Sequence, residues 1–102
     1  MRKTKIKSQE EKIFDLLDEG NALAVGAFEK LYTRFEEDDA MHYTCHAAII
    51  RTIYIVRSEH VLWRIAFDHH VGERTLYRYR KSYVKWFCFY FERLAASANS
   101  AA

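Results

Sequence analysis

After Gly72 the chain contains neither glycine nor proline, so nothing in its backbone chemistry interrupts a helix once one has started. Residues 69–94 therefore read as a short turn followed by one long helix, entered at Gly72-Glu73. At about 100° per residue, Arg74, Arg78, Lys81 and Lys85 fall on a single narrow cationic stripe. Leu76, Tyr79, Tyr83, Trp86, Phe87, Tyr90 and Leu94 form an apolar stripe on the other side. Such a helix presents one face to a polyanion and anchors the other in a core. The rest of the chain has to supply that core.

The chain has 102 residues, enough for one small domain, and half of them are hydrophobic, which argues against disorder except at the ends. No window approaches an uninterrupted apolar span, and the basic N-terminus runs into charged sequence, so neither a membrane segment nor a secretion signal is expected. Two cysteines without a repeated spacing, Cys45 and Cys88, suggest reduced thiols and a cytoplasmic setting. The formal net charge of +2 says little by itself. Its distribution says more: the first twelve residues and the C-terminal helix are basic, while residues 13–41 are strongly acidic. A polyanion has to approach the C-terminal helix, and the acidic segment faces away or meets another protein.

Residues 1–7 read as a solvated basic arm carrying Arg2, Lys3, Lys5 and Lys7. Ser8 and Glu11 have capping-box spacing and open a first helix with Ile13, Phe14, Leu16 and Leu17 as its apolar face; Gly20-Asn21 stops it. Asn21 caps a second helix over about 22–37, with Leu23, Phe28, Leu31, Tyr32 and Phe35 inward. The run Glu36-Glu37-Asp38-Asp39 ends that element and suits the N-terminus of the next, a largely apolar helix over about 40–57. Its β-branched stretch from Thr52 to Val56 would also suit a strand, but no second strand is available to pair with it. Ser58-Glu59 caps a fourth helix over 60–69 that buries Val61, Leu62, Ile65 and Ala66, with Trp63 and Phe67 on its flanks. Residues 95–102 are small and polar and read as a flexible tail.

The fold expected is all-α, with about five helices: a scaffold over 8–57, then a helix-turn-helix over 59–94 that ends in the long helix. Ile65-Ala66 before the turn and Val71-Gly72-Glu73-Arg74-Thr75-Leu76-Tyr77-Arg78-Tyr79-Arg80-Lys81 after its start carry a resemblance. This segment resembles the helix-turn-helix of sigma-factor region 4 and, more closely, the small phage-encoded late transcription regulators of the ArpU and RinA type. Where such turns usually carry glycine to reach positive φ, this chain has His70, which adopts that conformation at some cost. The resemblance implies sequence-specific binding of double-stranded DNA, with RNA polymerase as a candidate partner.

On that reading Glu73, Arg74, Tyr77 and Arg78 approach base edges, while Thr75, Lys81 and Lys85 contact phosphate. Arg80 falls inside the apolar arc and is expected to snorkel toward an acidic residue. Half of the chain's aromatic residues lie between Tyr77 and Phe91, more apolar surface than a one-sided helix needs. Val84, Trp86, Cys88, Phe89 and Phe91 are therefore expected at a dimer or partner interface, first of all a homodimer's. The rival reading is a protein-interaction module that docks through this aromatic helix on a host protein, such as polymerase or a defence effector. His42, Cys45 and His46 share the spacing of one helix face, but no recognised pattern supplies a fourth ligand, so no metal or other cofactor is expected. There is no phosphate loop, nucleophile elbow or spaced acid pair, and the chain does not read as an enzyme.

Overall fold

The computed structural model describes the backbone of residues 2–56 and 62–101 and the side chains of 8–56 and 64–99. All its regular structure is helical, with no strand among the described residues. The elements are α1 (Arg2–Asp18), α2 (Ala22–His42), α3 (His46–Arg51), a π-helical turn over Thr52–Val56, α4 (Leu62–Asp68) and α5 (Glu73–Ala101). Two compact units are built from these, one comprising Met1–Leu31 with Lys81–Ala102 and the other Tyr32–Arg80.

In the first unit Ile13 of α1, Ala24, Ala27 and Leu31 of α2, and Tyr83, Val84 and Phe87 of α5 are buried. Leu23 and Phe28, expected inside, are only half-buried; the innermost seam of α2 is instead Ala24 and Ala27. Small side chains there let a neighbouring helix come close. A Cβ placed on Gly26 would stand 3.2 Å from Leu94 Cδ1 of α5. Gly20, at φ +69°, ends α1: its N–H donates to Leu17 O and that of Asn21 to Leu16 O, the paired bonds of a Schellman turn. The Asn21 side chain then caps α2 by accepting the Ala24 N–H at 3.0 Å, as its position in the sequence predicts.

The second unit buries Phe35 of α2, Ile49 and Ile50 of α3, Ile53 and Tyr54 of the π turn, Ile65 and Ala66 of α4, and Leu76 of α5. The β-branched run is helical, in a wider coil than expected. Thr52 Oγ1 donates to Ala48 O at 2.9 Å, and the Thr52 N–H is shared between Ala48 O and Ile49 O. Competition for one carbonyl, together with crowded β-branched side chains, loosens the α-helical ladder at this point.

Several boundaries differ from the expected ones. Residues 2–7 are not an arm outside the helix: α1 opens at Arg2, because lysine and arginine are good helix formers and nothing upstream of Ser8 stops them. Residues 95–101 continue α5 instead of fraying. The acidic run does not end α2, which passes through it to His42 and stops at Tyr43, a non-glycine residue at φ +54°. The proposed cap at Ser58-Glu59 lies outside the described residues, as do the side chains of Val61, Leu62 and Trp63.

Candidate nucleic-acid interface

The segment between α4 and α5 is a second Schellman turn, with histidine where the first has glycine. His70 stands at φ +57° and donates its N–H to Phe67 O, while Val71 N–H donates to Ala66 O at 2.9 Å. The positive φ that such turns usually assign to glycine is present here at a histidine. Such a conformation costs a side-chain-bearing residue roughly 1–2 kcal/mol and is held by the two bonds around it. Gly72 then starts α5 by accepting the Leu76 N–H at 2.9 Å, and the carboxylate of Glu73 lies in the positive first turn of the helix.

From this start α5 divides as its sequence predicts. Leu76 faces inward at 2% exposure, whereas Glu73, Arg74, Arg78, Lys81 and Lys85 are all exposed. Thr75 and Tyr77 are half-buried at the edges of the stripe. Arg78 Nη2 stands 3.5 Å from Thr75 Oγ1, the outer limit of a hydrogen bond, so its guanidinium is only loosely held. Arg80 is buried and takes no part in the exposed stripe. The second unit ends at Arg80, so Lys81 and Lys85 stand on the following turns of α5, which belong to the first.

The residues assigned to an interface separate into two groups. Val84 is 5% exposed and part of its own unit's core, so this member of the expected interface is buried within the chain itself. Phe91 is half-buried and stacks on Phe87 at 6.0 Å between ring centroids. Trp86, also half-buried, meets Phe89 edge-on at 5.3 Å. Phe89 and Cys88 are exposed, and the Arg93 guanidinium lies 5.4 Å over the Phe89 ring. Burial, followed by the charge of Glu92, pushes the Cys88 thiol above the usual cysteine range, so it is no activated nucleophile.

His42, Cys45 and His46 do not share a helix face, because the break at Tyr43 puts His42 on α2 and His46 on α3. No three His, Cys, Asp or Glu side chains gather as a metal site among the described residues. Cys45 Sγ points to His69 O at 4.0 Å, and burial, then the charge of Asp39, raises its thiol.

An arrangement with no local sequence signal lies beside them. Asp39, inside α2, reaches over the break: Oδ1 accepts from Thr44 Oγ1 at 2.6 Å and from His46 N–H at 2.8 Å, and Oδ2 accepts from Ala47 N–H at 2.8 Å. It caps α3, whose own N-cap residue Cys45 makes no side-chain cap. Burial raises the Asp39 carboxyl, but the hydrogen bonds from Thr44, Ala47 and His46 and the His46 charge outweigh it and hold it below the usual aspartate value. The His46 ring lies between Phe35 of α2, at 5.0 Å, and Tyr79 of α5, at 4.4 Å. Neither Asp39 nor His46 was singled out in this role by spacing.

No family model, curated protein or solved structure matches this chain.

Proposed function

We propose that this protein binds double-stranded DNA in a sequence-specific manner through a helix-turn-helix made of α4, the turn at His70 and α5, and that it regulates transcription without catalysing a reaction. One observation carries the reading. The helix entered through the positive-φ turn buries Leu76 and exposes Arg74 and Arg78 within its first two turns. Those are the turns that enter a major groove, where a bidentate arginine–guanine pair is worth about 1–3 kcal/mol of discrimination. Glu73 and Tyr77 flank them, Glu73 as an acceptor for cytosine N4; Thr75, Lys81 and Lys85 serve the phosphates. A homodimer presenting two such helices would read half-sites about 34 Å apart. A phage origin and contact with RNA polymerase belong to the same reading.

The test is selection from a random duplex pool followed by fluorescence anisotropy on the enriched sequence. Binding should weaken with salt at a slope of about −0.9 per contacted phosphate, and Arg78→Ala should lose about tenfold or more. Absence of duplex affinity in low salt, or affinity indifferent to Arg74→Ala and Arg78→Ala together, refutes it. A second reading is supported by the exposed pair of Phe89 and Arg93 beside Trp86. There the same helix docks on a host protein, and a stable heteromer that forms without DNA affinity decides in its favour.

A further inference from the structure

We propose that His46 is the positioning residue for the opening turns of α5 and makes them acid-sensitive: the neutral imidazole, wedged between Phe35 and Tyr79, holds these turns, and its protonation releases them. The geometry is a run of three rings within the second unit, in tilted and edge-on contact. His46 meets Phe35 at 5.0 Å with the rings tilted by 55°, and Tyr79 at 4.4 Å with the rings near perpendicular at 69°. Phe35 is buried, and Tyr79 directly follows the exposed Arg78. A ring in this position fixes where the start of α5 stands relative to α2 and α3 within the unit.

An imidazolium there meets opposing forces. Asp39 and Asp38 of α2 attract it; among the described residues the phenol of Tyr79 on α5 and the thiol of the adjoining Cys45 also lie near it. Both oxygens of Asp39 already accept hydrogen bonds from Thr44 and from the backbone of His46 and Ala47. Burial between two rings opposes the charge. Burial prevails, and the His46 imidazole is held below the usual histidine value. A proton is therefore accepted more readily once the ring leaves the stack, so acid favours the opened state. The consequence for duplex affinity rests on the DNA-binding reading above; the stack itself does not.

The experiment uses the full chain and follows the His46 and Tyr79 ring resonances by NMR between about pH 7.5 and pH 5, across the histidine range. The Tyr79 signals should shift together with those of His46, at a midpoint below the usual histidine value. A Tyr79 signal indifferent to the His46 titration overturns the proposal. His46→Phe keeps a ring without a proton to gain, and its melting temperature should fall less on acidification than that of the wild type. An equal fall, or a larger one in the variant, overturns it as well. If His46→Phe does not fold, the wild-type resonances decide. On a selected duplex, wild-type affinity should drop several-fold relative to His46→Phe on acidification while both remain folded. Equal losses overturn the proposal. No affinity at any pH defeats the DNA-binding reading alone, because the ring resonances judge the stack independently.

Discussion

Replacing Asp39 with alanine removes three hydrogen bonds across the break at Tyr43, two from α3 and one from Thr44 in the connection before it. The two short bonds to backbone N–H groups do the work of an N-cap, whose loss costs about 0.5–2 kcal/mol. The Thr44 bond at 2.6 Å adds a charge-assisted contact, discounted because it is exposed to solvent. The expected cost of Asp39→Ala is thus about 2 kcal/mol, or roughly 8–16 °C in melting temperature for a domain of this size. Asparagine keeps one carbonyl oxygen and loses the other acceptor, so Asp39→Asn should fall between alanine and wild type. Urea denaturation followed by circular dichroism measures both. The native carboxyl is held below its unfolded value near 3.8, so its contribution is present in full above that pH and disappears as pH falls through the native value. Asp39→Ala should therefore close the gap to wild type in strong acid. A change of less than about 0.5 kcal/mol at neutral pH refutes the capping role.

Gly20 and His70 occupy equivalent turns, and substitution should move them in opposite directions: Gly20→Ala destabilises and His70→Gly stabilises, each by about 1 kcal/mol in chemical denaturation. No atom lies within 4 Å of a Cβ added at Gly20, so its cost is backbone strain alone. At Gly26 an added methyl meets only the flexible end of Leu94, and the gain in helix propensity of about 0.5–1 kcal/mol should outweigh the contact; valine there should destabilise. Phe87→Ala should cost about 3–5 kcal/mol, whereas Phe89→Ala, two positions on, should stay under about 1 kcal/mol, read from thermal melts of both variants.

The legible parts of this fold rest on rules that act within a few residues. Gly20-Asn21 announces a stop and a cap, and the spacing of Leu76 against Arg74 and Arg78 orients α5 correctly. The sequence is silent where distant groups decide. The acidic run reads as the end of one helix and the start of the next because carboxylates favour a helix N-terminus; α2 passes through it, and Asp39 serves α3 from inside α2, seven and eight residues before the N–H groups it binds. That reach depends on Tyr43 taking a positive φ, for which tyrosine gives no signal. Of the residues that the aromatic excess of α5 assigns to an interface, Val84 lies instead in the core of its unit, because burial depends on neighbours that the helix's own pattern does not name. Of the candidate site, the cationic stripe and the His70 turn were readable in advance; the ring stack on Tyr79 was not, since its members come from three helices.

The histidine at the second Schellman turn bears on how this chain tolerates mutation. Two turns of the same hydrogen-bond pattern carry different residues, one at ease there and one strained. A library selected only for thermal survival should enrich glycine and asparagine at position 70 and leave position 20 as it is. The same library selected for duplex capture should recover histidine if the imidazole touches the ligand, and glycine if the turn matters only for its shape. Comparing enrichment at this one codon under the two selections separates a residue kept for chemistry from one merely accommodated by the backbone.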